Sequence, residues 1–411
     1  MLKFLQFGCS GQTRNRALAK HLRLPPAQLT QIGMSRSLIS PTFRTLSWVL
    51  VVYLFCGITP NANASKRKRR TITHRVVAGT TVGPLGVIRG GPWTEPTFAD
   101  STNGDNVDGE DLDVRRAAVE ALGPYNGSVV VVDPSNGRVL TMVNQKVALG
   151  SGFQPCSTVE VSVALAALSE KVIQPDTKLR LNGMRMDLTY ALAHSNNYFF
   201  ATLGQKLGFE RYSSYAHQFG YGEKAGLDIP GEGPGHFPVA PPRNGGVGML
   251  TSFGEEISQT PLQFAALMSA VANGGSLYYL QYPRTPGEVA TFVPRLKRQL
   301  DIDRFISGIS PGLRGAVEFG TAHRARQDDP IAGKTGTCSE DHTHLGWFGS
   351  FNNVGGRKLV VVVLLTGGRP AIGALAAGIA GDVYRQLDHT NYFAKMPQIT
   401  PATLLPSSLL R

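Results

Sequence analysis

The chain has 411 residues, 42% of them hydrophobic, so it can bury a sizeable core and is not a low-complexity chain. Its formal charge of +12 suggests nucleic-acid binding, but the excess is confined to one end. Residues 1–94 hold 14 Lys and Arg and no acidic residue, which leaves 27 of the 41 basic residues against all 29 acidic residues elsewhere. This distribution argues against a nucleic-acid-binding protein.

The first region, 1–64, has the features of a signal peptide. A basic segment precedes the apolar run LSWVLVVYLFCGI at 46–58, and the small residues Ala62 and Ala64 follow it. Because 13 apolar residues barely cross a bilayer, we expect a cleaved signal, with an inner-membrane anchor at 46–58 as the alternative. A start at Met34 would give a more ordinary signal. The sequence therefore predicts an exported protein of the periplasm or cell envelope.

Residues 65–113 are expected to form a disordered linker that is first basic and then acidic. KRKRR at 66–70 is best explained as a solvated flank or a contact with anionic lipid headgroups. DNVDGEDLD at 105–113 lacks the spacing of a calcium-binding loop. From residue 114 the pattern changes to a helical segment, and two β-branched runs at 127–133 and 137–143 then predict a hairpin.

The middle of the chain is predicted to be helical and its end to return to strands. Apolar periodicity indicates helices at 157–172, 186–195, 196–208, 209–219, 260–275 and 311–322. GKTGT, HLGWFGSF and KLVVVVLLTGG predict three strands, and a helix follows at 372–389. This order predicts an α+β domain at 114–390, in which an antiparallel five-stranded sheet is flanked by helices and interrupted by an all-helical subdomain. Residues 391–411 are expected to form a C-terminal tail.

Three short polar elements would meet in such a fold. Ser157 stands at a predicted helix start, Ser195-Asn196-Asn197 lies between two helices, and Lys334-Thr335-Gly336-Thr337 lies at a strand. Singly, each is common as a helix cap, a helix junction or a surface turn. Together they offer a nucleophile, a proton relay, a cation and backbone N–H groups, which are the parts that acyl transfer needs.

The order and spacing of these elements resemble the S-x-x-K, S-x-N and K-T-G motifs of the penicillin-binding transpeptidases and serine β-lactamases. The resemblance covers about 114–390 and includes GPYNGSVVVVDPSNGRVLTMV, FQPCST, SFGEEISQTPLQFAALMSAVANGGSLY and GKTGTCSEDHTHLGWFGSF. It implies the fold of that superfamily. It also implies that the substrate is a D-alanyl-D-alanine stem peptide of peptidoglycan or a β-lactam.

The resemblance assigns roles to individual residues. Ser157 would be the acylated serine, Ser195 the relay and Asn197 a substrate contact. Lys334, a catalytic residue in the family, would anchor the substrate's terminal carboxylate together with Thr335. Gly336 and Thr337 would complete the substrate-binding strand, called here the substrate strand. The backbone N–H groups of Ser157 and Thr337 would form the oxyanion hole.

One position departs from the family, because Glu160 stands where the motif has lysine. A carboxylate can take the serine proton but cannot add positive charge where an oxyanion develops. Burial would raise its pKa from near 4.3, whereas Lys334 would lower it. Three alternatives follow: a serine D,D-transpeptidase or carboxypeptidase with an altered base, a catalytically silent protein that binds peptidoglycan or a partner, and a β-lactamase. The β-lactamase alternative is not supported by an E-x-x-x-N segment after the helices around Ser195.

The cysteines are Cys9 and Cys56 in the leader, and Cys156 and Cys338 next to the motifs. Some carbapenem-hydrolysing class A β-lactamases are similar in joining cysteines at these two places. The resemblance implies a Cys156–Cys338 disulfide in the oxidising space outside the inner membrane, with two buried thiols as the alternative.

No metal or cofactor is expected, because the histidines, among them His194, His342 and His344, lack ligand spacing. The expected partners are stem peptides, β-lactams and cell-wall synthesis proteins, with membrane contact through the N-terminal segment alone.

Overall fold

The computed structural model describes residues 95–368 and 373–396. The predicted signal peptide and apolar run, the basic part of the linker and residues 397–411 of the predicted tail lie outside the described residues. None of the helices in the described ranges is long and apolar enough to span a bilayer.

The described strands are, in chain order, β1 (Gly127–Asp133), β2 (Arg138–Val143), β3 (Leu179–Leu181), β4 (Met184–Met186), β5 (Ser276–Tyr278), β6 (Leu296–Gln299), β7 (Ile331–Glu340), β8 (Thr343–Asn352) and β9 (Val360–Gly367). The described α-helices are α1 (Leu112–Leu122), α2 (Gln145–Leu149), α3 (Glu160–Ser169), α4 (Leu188–His194), α5 (Asn197–Leu207), α6 (Phe209–Gln218), α7 (Gly246–Phe253), α8 (Pro261–Asn273), α9 (Pro286–Ala290), α10 (Asp303–Glu318), α11 (Gly373–His389) and α12 (Tyr392–Lys395). Cys156–Val159 forms a 3-10 turn directly before α3.

Five strands form one antiparallel sheet in the order β2-β1-β9-β8-β7, which confirms the predicted fold class. Successive valines of β1 enter different cores, because side chains alternate between the faces of a strand. Val130 and Val132 pack with α8, whereas Val129 and Val131 pack with α1 and α11. Both faces of the central strands are buried, so their β-branched runs are continuous rather than alternating.

The chain leaves the sheet after β2 and returns at β7, as predicted. The segment in between contains two small two-stranded sheets, β3–β4 and β5–β6, besides its helices, so the prediction that it is all-helical was wrong. Helix α8 begins with a capping box, in which Thr260 and Gln263 satisfy each other's backbone N–H groups, and has a proline in its first turn. The helix predicted at 311–322 begins earlier, at Asp303, and continues through Pro311. The expected start of this helix was therefore wrong.

The part of the predicted linker that the structure describes, 95–113, packs on the domain instead. Phe98 forms a β-bridge with Tyr125, and α1 begins at Leu112 with Asp111 as its N-cap. The buried Glu110 carboxylate accepts hydrogen bonds from the Thr141 hydroxyl and the Met142 N–H of β2. Specific long-range hydrogen bonds thus hold a segment whose polar composition suggested a linker.

The predicted tail also begins too early at 391. Helix α12 buries Tyr392 and Phe393, and the Tyr392 hydroxyl donates to Asp111. The fold therefore extends to at least residue 395.

Candidate active site

Ser157 lies in the 3-10 turn Cys156–Val159, and not at a helix N-cap as expected. Cys156 adopts a left-handed backbone conformation with φ of 52°, and α3 begins only at Glu160. The Ser157 side chain is buried, with 7% of the residue exposed, and its hydroxyl donates to the carbonyl of Ser252 over 3.5 Å. At that length the bond is at the limit of hydrogen bonding, so the hydroxyl is lightly held.

The Ser195-Asn196-Asn197 element is the junction of α4 and α5, and each residue has a distinct task. Ser195 ends α4 with a φ of 53°, and the Asn196 side chain caps α5 by accepting from the N–H of Phe199. Asn197 begins α5, and its Oδ1 atom is buried without a hydrogen-bond partner in the described ranges. Because a buried polar atom without a partner is costly, this oxygen is suited to a ligand's N–H group.

Strand β7 carries Lys334 to Thr337 at the edge of the sheet, where β8 is its one strand partner among the described residues. Gly336 allows this strand to approach the serine turn. A Cβ at 336 would lie 2.9 Å from the carbonyl oxygen of Pro155 and 3.3 Å from the Cβ of Cys156. Thr337 is exposed, and its hydroxyl accepts from the N–H of Gly373 at 2.8 Å.

Glu160, Ser195 and Lys334 form a closed hydrogen-bonded group. Lys334 Nζ lies 3.0 Å from Glu160 Oε2 and donates to Ser195 Oγ at 2.8 Å, and Ser195 donates to both carboxylate oxygens at 3.3 Å. Both charged side chains are wholly buried. Lys334 also donates to the carbonyl of Thr335 at 2.9 Å, so the three N–H groups of its ammonium all have partners.

Burial and charge oppose each other at this pair, and for Glu160 burial has the larger effect. Desolvation raises the pKa of Glu160 to about 7, although Lys334 lowers it by charge and hydrogen bonding and the hydroxyls of Ser195 and Ser157 lower it by hydrogen bonding. Burial likewise lowers the pKa of Lys334, against the favourable charge of Glu160. A glutamate with a pKa near 7 is suited to proton transfer at neutral pH.

Cys156 lies in the serine turn, and Cys338 directly follows the substrate strand. Their Cα atoms lie 5.6 Å apart and their Sγ atoms face each other, an arrangement that permits a disulfide. The two cysteines are separated by 182 positions in the sequence. The structure thus places the two cysteines where the sequence pattern implied that a bridge would form.

Several residues that the sequence analysis did not identify also support the site. The Thr321 and Thr335 hydroxyls lie 2.6 Å apart, Glu340 accepts from the N–H of Gln154 at 2.7 Å, and the Trp347 indole donates to the Gln154 carbonyl. Thr321 follows a glycine just after a helix, which by itself is no more than a helix-end pattern. Of the histidines, His344 bonds Ser339 at the tip of the β7–β8 hairpin.

Comparisons with known proteins agree with this geometry. The family profile of the penicillin binding protein transpeptidase domain matches residues 127–385, more than half of the chain. Stage V sporulation protein D of Bacillus subtilis (strain 168) is 29% identical over 310 residues, which cover 64% of this chain and 48% of that protein. The peptidoglycan D,D-transpeptidase MrdA of Escherichia coli (strain K12) is 24% identical over 341 residues, covering 69% and 53%. The chain spans about half the length of these relatives.

Solved structures show the same fold. Pseudomonas aeruginosa PBP2 aligns with a TM-score of 0.58 and 24% identity, covering 67% of this chain and 74% of that one. The D,D-transpeptidase domain of an Eggerthella lenta peptidoglycan glycosyltransferase aligns with a TM-score of 0.55 and 20% identity, covering 74% and 90%. This chain belongs to the family of penicillin-binding protein transpeptidase domains.

Proposed function

We propose that this protein is an exported serine acyltransferase of peptidoglycan synthesis, which takes the acyl group of D-alanyl-D-alanine peptides onto Ser157. Glu160 serves as the proton acceptor in place of the family's lysine. The observation that carries the proposal is the buried group in which Glu160 accepts hydrogen bonds from Ser195 and pairs with Lys334, next to the Ser157 hydroxyl that also lowers its pKa.

The Glu160 carboxylate takes the proton of Ser157 as the serine oxygen attacks the carbonyl carbon of the D-alanyl-D-alanine bond. The bond to the terminal D-alanine then breaks, and its nitrogen receives that proton, with Ser195 as the relay. The acyl group stays on Ser157 as an ester. An acceptor amine, or water in a carboxypeptidase reaction, loses a proton to Glu160 as it attacks the ester carbonyl. The ester bond to Ser157 then breaks, and Glu160 returns the proton to the serine oxygen.

Charge explains how glutamate can replace lysine here. In the resting site the charges of Glu160 and Lys334 cancel, because the two groups form a buried ion pair. When Glu160 takes the serine proton it becomes neutral, and Lys334 remains as an uncompensated cation. That charge arises at the moment when the substrate oxyanion develops, which is when stabilisation accelerates the reaction.

The substrate strand and Asn197 supply the binding contacts in this proposal. An extended peptide would pair with the edge of β7, with its terminal carboxylate near the hydroxyls of Thr335 and Thr337. The backbone N–H groups of Ser157 and Thr337 would form the oxyanion hole. We infer that Lys334 acts on the substrate through its field rather than by contact, since its three N–H groups already have partners.

The second candidate function is a silent penicillin-binding-fold protein that binds peptidoglycan or a partner. The Glu160–Lys334 ion pair favours it, because the pair satisfies both charges without a substrate. For the third alternative, a β-lactamase, residues 95–368 and 373–396 offer no free glutamate in the expected segment. Segment 231–242 follows the helices around Ser195, where a β-lactamase would have its deacylating glutamate. Its glutamate, Glu232, instead accepts hydrogen bonds from the N–H groups of Ala225 and Gly226.

Labelling with a fluorescent penicillin tests the proposal. We expect label on the natural full chain, none on Ser157→Ala and strongly slowed labelling of Glu160→Gln. Label that appears only with Glu160→Lys would establish the silent candidate instead. No label on any of these proteins would contradict the assignment of Ser157.

We also propose that the Cys156–Cys338 pair is a disulfide of the exported protein, which in the chain-entropy model adds roughly 5 kcal/mol to the free energy of unfolding. Thiol titration of the unfolded, non-reduced mature protein should find neither cysteine reactive. Two reactive thiols would contradict the bridge.

A further inference from the structure

We propose that Thr321 is a positioning residue that directs the hydroxyl of Thr335 toward the substrate's terminal carboxylate. The inference rests on the proposed function, in which Thr335 contacts that carboxylate. It begins from the 2.6 Å separation of the two threonine hydroxyls, which is a short hydrogen bond.

The chemistry of the two hydroxyls gives this bond a direction. Each hydroxyl has one proton, so either Thr321 donates to Thr335 or Thr335 donates to Thr321. A carboxylate only accepts, so Thr335 can donate to a substrate carboxylate only when it accepts from Thr321. A bound carboxylate therefore selects a chain from Thr321 through Thr335 to the ligand, in which each bond strengthens the next.

Thr321 is firmly placed for this task. Its N–H donates to the carbonyl of Ala193 at 3.1 Å, and the N–H of Ala322 donates to Ala316 at 2.8 Å. Gly320 packs so closely on α4 that a Cβ there would lie 2.0 Å from the Ala193 carbonyl oxygen. Helix α4, which ends at Ser195, thus holds Thr321 in place through its backbone. Thr321 thereby links the helix that carries the relay serine to the substrate strand.

Thr335 depends on this partner. The residue is 4% exposed, and its hydroxyl has no second hydrogen-bond partner in the part of the chain that the structure describes. Without Thr321 the hydroxyl would rotate freely and lose a donor. Recognition of a free carboxylate should then weaken, whereas contacts with the rest of the ligand should not.

The experiment measures binding without chemistry, in the full chain carrying Ser157→Ala. Affinities for benzylpenicillin, which has a free carboxylate, and for its methyl ester are determined by calorimetry. Adding Thr321→Val, which keeps the shape but removes the hydroxyl, should weaken benzylpenicillin binding about tenfold to a hundredfold and ester binding less than about twofold. Thr321→Ser should restore the preference for the acid.

The matched control is Thr390→Val, which removes a hydroxyl that bonds the Leu387 carbonyl at the end of α11. It should leave both affinities unchanged. Equal weakening of acid and ester by Thr321→Val, no weakening at all, or no binding of either probe would overturn the inference. Because acylation is absent from this experiment, its failure is distinct from failure of the labelling test, which probes Ser157 and Glu160.

Discussion

Two buried glutamates, Glu160 and Glu110, show how the same residue type serves reactivity in one region and stability in another. Glu110 accepts hydrogen bonds from the N–H of Met142 and the hydroxyls of Thr141 and Tyr282, and it pairs with Arg115 at 3.5 Å. Its four partners come from three places in the sequence, at 115, 141–142 and 282, and hold the N-terminal segment to the sheet. Among the described residues, Glu160 accepts only from side chains that the proposed mechanism uses.

The difference lies in what the partners can do. A backbone N–H and a tyrosine hydroxyl locked by packing keep their protons, so Glu110 is a permanent acceptor. The hydroxyls of Ser157 and Ser195 and the ammonium of Lys334 can each give up or pass on a proton. A buried carboxylate surrounded by such groups, with a pKa raised to about 7, indicates function rather than structure.

The strongest test of this difference compares the acylation rates of two variants, Glu160→Gln and Glu110→Gln. Loss of the proton acceptor should slow penicillin acylation about a thousandfold, within the range expected for a general base. Glu110→Gln should destabilise the protein but leave the acylation rate per folded molecule unchanged. Stopped-flow measurement of acylation, with the folded fraction determined by near-UV circular dichroism, checks both. Equal rates for the two variants would remove the distinction.

The structural role of the Glu110 region is tested by two neighbouring arginines. Arg115 is buried and pairs with Asp105 at 2.7 Å as well as with Glu110, whereas Arg116 forms an exposed pair with Asp113. Arg115→Met leaves two buried carboxylates without their cation and should lower the free energy of unfolding by about 3–5 kcal/mol.

Arg116→Met is the control and should change the free energy of unfolding by less than about 1 kcal/mol, because exposed ion pairs contribute little. Urea unfolding measures both. If Arg115→Met also removed penicillin labelling from the folded molecules, the Glu110 region would have to be included in the site.

The ion pair at the active site should be dispensable for stability. Replacing it by apolar residues, as Glu160→Leu with Lys334→Met, removes two desolvated charges and should raise the free energy of unfolding by about 1–4 kcal/mol while abolishing acylation. Lys334→Met alone leaves the carboxylate uncompensated and should be less stable than the double variant. Thermal and urea unfolding compare them. A double variant less stable than Lys334→Met would show that the pair itself stabilises the fold.

The smallest expected effect is on the pH dependence of acylation. The base must be ionised, and the pKa of Glu160 is raised to about 7, so the rate should be half-maximal near pH 7 and fall about tenfold for each pH unit below. Acid thus removes activity and alkali restores it up to a plateau. Rates measured from pH 5 to 8 on Glu110→Gln should show the same profile. A flat profile over this range would exclude Glu160 as the base.

The sheet and the meeting of the three motifs could be predicted because their signals are local and ordered. The runs at 127–133 and 358–368 are β-branched and continuous, and the polar elements keep a family spacing. The position of the segment 95–113 could not be predicted, because Glu110 depends on Tyr282, which lies 172 residues later in the chain. A polar segment does not show in its own sequence that its hydrogen-bond partners lie far away in the chain.

Details of the site were hidden for similar reasons. The sequence identified both effects on the pKa of Glu160, but their balance depends on the complete burial that only the packed structure provides. The 3-10 turn at Ser157 is set by tertiary contacts, among them the close approach of Pro155 and Gly336. Thr321 became visible only when its hydroxyl was placed beside that of Thr335.

The edge position of β7 has a consequence for how the protein behaves in solution. Residues 337–340 of β7 are partly or fully exposed, and β8 is the only strand that pairs with them in the described part of the chain. Such an edge is a template for pairing with a second molecule, and exposed polar residues such as Thr337 and Ser339 discourage that pairing. A ligand lying along the strand covers the same backbone groups. The protein without ligand should therefore be more prone to self-association, and a ligand bound along β7 should keep it in solution.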